Sequence, residues 1–237
     1  MRCSPGVITN VVAEMPNSMK QRITDLGFGS VLEMNLGRLD ERKLALFLVR
    51  CVKEDPLRLQ VGNKVLPITP EAVHSVFGIP ISGRSVPSYT HNEQKAFRAE
   101  LRSICDDKGM AELFRIRGSN LSGLGHSEVP RWVVEHHSNA KEDEVSDWNV
   151  QAFMMLLCNA LLFSAGSDKM SWFDYMMCKD LSAIPQFNWC EAVCNDIKEK
   201  ARSFNHKFSS KDNSAHTIQG CTAFLMVKFS QFSAFHS

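Results

Sequence analysis

Cys190 and Cys194 stand four residues apart, a spacing that on a helix places two thiols on one face and could give two thiolates to a metal ion, with His206 or His216 as further ligands. The spacing is not that of a zinc knuckle. Trp189, Val193 and Ile197 surround the pair, which is the setting of a packed helix face. His136 and His137 adjoin the charged run 141–144 and could suggest a general base, but neighbouring histidines on a helix point about 100° apart and belong on a solvated surface. Gly118, Gly123 and Gly125 do not have the spacing of a dinucleotide-binding turn, and no Gly-Lys-Ser/Thr follows them. No cysteine lies in a local protease signature. The expectation is no catalytic residue, no cofactor site and no metal ligand.

One cluster could serve binding. Lys198, Lys200, Arg202, Lys207 and Lys211 form the densest basic run, with Phe204 and Phe208 interleaved as on a nucleic-acid surface. Glu191, Asp196, Glu199 and Asp212 dilute that charge, and cations at a helix C-terminus also suit its dipole.

Composition limits what these residues can be part of. The chain has 237 residues, 44% hydrophobic and 22% charged, enough to bury a core. A net charge of +1 provides no global field for nucleic acid or an acidic membrane. Eight scattered cysteines without a Cys-x-x-Cys pair read as buried thiols in a reducing, intracellular compartment. The first residues lack a signal-peptide apolar run, and the longest apolar stretch, 152–163, is broken at Asn159 and shorter than a membrane span, so it reads as a buried core helix.

The elements follow from periodicity and punctuation. A first helix is expected over 11–26, ending at Gly27, and a second capped by Asp40 with Leu44, Phe47, Leu48 and Cys51 as its buried stripe. Leu57, Leu59 and Val61 alternate, Gly62-Asn63 turns, and Leu66 and Ile68 return, which predicts a small hairpin. Thr69-Pro70 opens a short helix that Gly78 ends, and Thr90 with Glu93 has capping-box spacing ahead of the next. Short helices are expected over 110–116 and 129–136, with a loop over 118–126 between them. Asp147, Ser171 and Asn188 are expected to cap helices 148–163, 172–178 and 189–204. A last helix, 218–235, would align Ile218, Cys221, Leu225, Phe229 and Phe232. The fold class predicted is mainly α, an irregular multi-helix domain with one small β-hairpin.

Several segments, in order, are similar to the plant mobile domain, a family also labelled aminotransferase-like. They are Leu26-Gly27-Phe28-Gly29-Ser30, the run from Leu66 through Thr69-Pro70 and Val76-Phe77-Gly78 to Pro80, the apolar helix from Phe153 to Phe163, Phe187-Asn188-Trp189, and Gln219-Gly220-Cys221. The chain departs from that pattern at Ile81-Ser82-Gly83 and at Ser164-Ala165-Gly166. The resemblance implies a helical fold, a nuclear setting and an origin in transposable elements, where such domains can precede a SUMO protease or serve silencing and genome maintenance. It names no catalytic residue, and nothing here resembles a pyridoxal-phosphate lysine site.

The expected organisation is an N-terminal helical extension, 1–25, and a plant mobile domain-like unit, 26–237, truncated at its apolar C-terminal end. The expected role is non-catalytic protein interaction, through an exposed patch at Phe229, Phe232 and Phe235. A protein partner is expected, and no membrane or small-molecule substrate. The alternatives are nucleic-acid binding in a transposable-element protein, or the front region of a SUMO protease fusion.

Overall fold

Pro16 breaks the first helix, since proline donates no backbone hydrogen bond and its ring obstructs the preceding turn. The chain therefore opens with α1 (Pro5–Glu14) and α2 (Asn17–Ile23) instead of one helix starting at Val11. A wide π-turn over Thr24–Phe28 joins α2 to the single turn α3 (Gly29–Leu32). In the computed structural model, residues 3–35, 41–107, 145–164, 172–209 and 218–234 are described. Ile8, Val11, Met15, Met19 and Ile23 are buried in the same core as the later helices.

Next, α4 (Arg42–Cys51) runs directly into β1 (Val52–Glu54), which pairs antiparallel with β2 (Leu57–Val61), itself paired with β3 (Lys64–Pro67). The hairpin forms as alternation predicts, with one more strand at its edge. Val52 and Leu66 flank Leu59 in register, and all three are buried, so one sheet face belongs to the core. The buried stripe of α4 differs from the expected one. Ala45, Leu48 and Val49 face inward while Phe47 is 47% exposed. A 3.6-residue period admits either stripe, and the small side chain of Ala45 lets α4 approach its neighbours closely.

The sheet leads into α5 (Pro70–Phe77), whose ends match the expectation. Thr69 Oγ1 accepts from the Ala72 amide at 3.2 Å, and the Gly78 amide donates to His74 O at 2.7 Å. In α6 (His91–Asp107) the capping box is reciprocal: Glu93 Oε2 accepts from the Thr90 amide at 2.7 Å, and Thr90 Oγ1 accepts from the Glu93 amide at 3.4 Å. Glu100 ties α6 to α8 (Trp172–Cys178), accepting from Tyr175 Oη at 3.1 Å and pairing with Lys179 Nζ at 3.2 Å. The expected elements at 110–116, 118–126 and 129–136 lie outside the described residues.

The central helix is α7 (Asp147–Leu157), continued by a π-turn over Cys158–Leu162. Its N-cap is Ser146, not Asp147, and Asp147 instead pairs with Arg22. All residues from Val150 to Phe163 except Gln151 are buried, so this is the core helix that apolar length predicted. Orphan carbonyls at its C-terminal end find partners elsewhere in the chain. Ala160 O accepts from the Ser4 amide at 2.8 Å, and Ser164 O from the Gly220 amide at 2.7 Å. Buried Asn159 donates to Asp174 Oδ2 at 3.1 Å, joining α7 to α8. After a 3₁₀ turn at Ile184–Gln186 come α9 (Trp189–Ser209) and α10 (Thr222–Ala234). The mainly α class with one small antiparallel sheet is the observed fold.

Gly78 and Gly62 allow the packing to be tested. Both have positive φ, 63° and 59°, where alanine is strained by about 1 kcal/mol. A Cβ at Gly62 would meet open space, whereas one at Gly78 would lie 2.3 Å from Ser30 Oγ. Gly78→Ala is expected to cost about 1–3 kcal/mol more than Gly62→Ala in urea denaturation. Equal losses would mean that the contact between α3 and α5 is loose.

Candidate functional site

Asn188 starts α9 by accepting the Glu191 amide on Oδ1 at 2.9 Å. From there Trp189, Val193, Ile197, Ala201 and Phe204 recur on the inward face, and Cys190 and Cys194 flank that stripe. The two thiols are packed. Cys190 Sγ lies 3.4 Å from Ile79 O, to which it donates. Burial, with Glu71 nearby, pushes the Cys190 thiol up to about 12. Burial, followed by Cys190, Glu71 and Glu191, takes Cys194 to about 12 as well. A thiol held protonated in this way is a poor nucleophile. His206 is exposed near the far end of α9, and His216 lies outside the described residues. Among the described residues, no three His, Cys, Asp or Glu side chains are grouped so as to hold a metal ion.

Two cations of the basic run, Lys198 and Arg202, meet acids from another element. Lys198 Nζ is 2.8 Å from Asp55 Oδ1, and Arg202 Nε is 2.7 Å from Glu54 Oε2. Lys198 holds the Asp55 carboxyl below its usual range, by hydrogen bond and by charge. Glu54 and Asp55 sit at the end of β1 and in the following turn, so these pairs strap α9 to the sheet edge. Lys200 is 3.9 Å from Asp196 Oδ1, one helical turn back. The side chain of Lys207 and all of Lys211 lie outside the described residues. Unlike Asp196, Glu54 and Asp55 were not legible as partners, because they are more than 140 positions from their cations.

Asp196 lies where α9 meets the start of α10. Its side chain is only 15% exposed, and Oδ2 has no hydrogen-bond partner among the described residues. Burial raises this carboxyl to about 7, against the pull of Lys200 and with smaller upward contributions from Glu199 and Asp174. Beside it, Ser164 Oγ donates to Gly220 O at 2.6 Å. A small cavity of about 10 Å³ is lined by Lys200, Gly220, Cys221 and Thr222 with apolar residues of α4 and α9. The Cys3 thiol, raised by burial, faces the amides of Ala223 and Thr222 and the hydroxyls of Thr222 and Ser164. At about 10 Å³ the cavity is too small for an organic substrate.

Of the expected apolar patch, one residue is described. Phe229 is half-buried against the core, while the Phe232 side chain and Phe235 lie outside the described residues. The large hydrophobic side chains that are exposed among the described residues are Phe47 and Val65. Phe47 was expected inside. Its neighbours Lys43 and Arg50, four and three positions away, were the available sign that this stripe of α4 faces water. No helix among the described residues is long and apolar enough to cross a membrane.

A family model described as Domain of unknown function (DUF8566) matches residues 1–226. No curated protein and no solved structure matches the chain.

The raised Asp196 carboxyl has a consequence for stability. Below about pH 4 the group is protonated in both folded and unfolded chains; between about 4 and 7 the unfolded chain ionises and the folded one does not. This group therefore makes the fold less stable as pH rises towards 7. Asp196→Asn should remove that slope and stabilise the chain at pH 8 by on the order of 1–2 kcal/mol. Chemical denaturation at pH 5 and pH 8 reads both; an Asn variant with unchanged pH dependence would show that Asp196 ionises freely in the fold.

Proposed function

The chain belongs to the DUF8566 family, and we propose that it is a non-catalytic protein-interaction domain of transposon origin, resembling the plant mobile domain and working in nuclear silencing or genome maintenance. The observation that carries the interaction reading is the engagement of the basic run. Lys198 and Arg202 are committed to Asp55 and Glu54, and Lys200 lies against Asp196. A nucleic acid would have to compete with two fixed carboxylates for those cations, and with a net charge of +1 it gains little from long-range attraction.

The non-catalytic part of the reading is supported by the thiols. Cys3, Cys158, Cys178, Cys190, Cys194 and Cys221 are buried, and burial raises Cys190 and Cys194 to about 12, which suits packing and not nucleophilic attack. The segments that carry the plant mobile domain resemblance meet in the fold. Ser30 abuts Gly78, the Cys190 amide donates to Pro80 O at 3.1 Å, Phe28 meets Trp189 edge-on at 5.2 Å, and Gly220 bonds to Ser164. Segments that look like separate turns in the sequence are neighbours in the fold. A nuclear setting and a transposon origin rest on the resemblance.

Fluorescence anisotropy with single- and double-stranded 20-residue oligonucleotides, from 50 to 200 mM salt, tests this reading. The wild-type chain is expected to show weak binding at most. Glu54→Gln with Asp55→Asn should strengthen it, by freeing Lys198 and Arg202. Tight wild-type binding that falls steeply with salt and disappears in Lys198→Glu/Arg202→Glu would overturn the reading in favour of a nucleic-acid domain.

A further inference from the structure

We propose that Asp196 is a pH-sensitive latch: while its carboxyl is neutral the segment 218–221, which leads into α10, stays closed on α9, and when the carboxyl ionises that segment opens. The latch is independent of what the chain binds.

The closure is built on Gly220. Its amide donates to Ser164 O at 2.7 Å, and its carbonyl oxygen accepts from Ser164 Oγ at 2.6 Å and from the Thr222 amide at 2.8 Å. Held there at a φ of 84°, the backbone lies so near α9 that a Cβ would stand 3.3 Å from both Asp196 Oδ2 and Lys200 Cγ. Asp196 Oδ2 is shut off from solvent and has no hydrogen-bond partner among the described residues. The adjoining cavity, about 10 Å³, has room for about one water. A closed junction therefore cannot supply the shell of water that an ionised carboxylate loses on burial, whereas a neutral carboxyl gives up far less.

The groups around the carboxyl decide which form the closed junction holds. Lys200, one turn along the same helix, favours ionisation, but its Nζ lies 3.9 Å away and on the side of the other oxygen, Oδ1. Against it stand burial, which is the largest effect, and the carboxylates of Glu199 on α9 and Asp174 on α8. Segment 218–221 contributes the Cys221 thiol, which burial also holds protonated. Val49 of α4 and Val52 of β1 line the cavity, and Ser164 lies beyond α7; none of the three carries charge. The closed carboxyl accordingly stays neutral up to about pH 7. Once opened, it meets water and ionises from about pH 4. Each rise in pH between those values thus favours the open form, and below them pH has no effect through this group.

Thiol labelling of the full chain with a dipyridyl disulfide at pH 5 and pH 8, located by peptide mass spectrometry, tests the latch. Cys221 lies in the segment that opens, and Cys190, buried in the first turn of α9, serves as the internal reference. In the wild-type chain the rate at Cys221 relative to Cys190 should be roughly tenfold higher at pH 8 than at pH 5, and in Asp196→Asn it should not change with pH. The Asp196 charge itself disfavours ionisation of the Cys221 thiol, so a faster rate reports opening and not altered thiol chemistry. Ser164→Ala, which removes one of the bonds to Gly220, should raise the relative rate at both pH values. A wild-type ratio that ignores pH, or one that rises equally in the Asn variant, would overturn the latch, as would a Ser164→Ala chain that labels like the wild type.

Discussion

Trp189 sets the position of everything that follows it. The side chain is completely buried, and a buried indole is stable only when its N–H finds an acceptor. Ile184 O provides one at 2.8 Å, held in place by the 3₁₀ turn that ends just before the helix. Phe28, Phe163 and Phe187 enclose the ring system at 5.2, 6.2 and 6.4 Å between centroids. The first turn of α9 is therefore fixed in rotation as well as in place. Because a helix is a rigid screw, fixing Trp189 also fixes where each later side chain of α9 points. Cys190 meets Ile79, Asp196 turns to the start of α10, and Lys198 and Arg202 come out at the sheet edge.

The same junction explains how loops without regular structure become part of the core. Arg84 and Phe187 form an isolated parallel bridge, with the Arg84 amide donating to Gln186 O and the Asn188 amide to Arg84 O, both at 2.9 Å. The Arg84 guanidinium lies 4.9 Å from the centre of the Phe187 ring. These contacts join the segment after α5 to the segment before α9. Their backbone groups are paired with each other where neither a helix nor a sheet is available.

Local chemistry was legible in the sequence and long-range partners were not. The caps at Thr69, Gly78, Thr90 and Asn188, the hairpin turn at Gly62-Asn63, and the apolar helix around Phe153 are set by residues within a few positions of one another, so their patterns can be read directly. The break at Pro16 was also local, and the apolar periodicity around it obscured it. The face of α4 was ambiguous by period alone, because two stripes satisfy it; Lys43 and Arg50 beside Phe47 and the packing at Ala45 distinguish them. Whether the basic run of α9 was a free surface depended on Glu54 and Asp55, and Asp196 gains its unusual character from burial at a helix junction. Neither is a property of a neighbouring residue.

Native-state hydrogen exchange at pH 5 tests most directly whether Trp189 locks these segments into one unit. The amides of Arg84, Cys190 and Gly220, which bond across segments, are expected to exchange only through global unfolding, with the same denaturant dependence as amides in the middle of α7. Exchange of those three through small local openings, while α7 stays protected, would contradict it: α9 would then be a peripheral helix, free to rotate, and the placement of its charges would not be fixed by the fold.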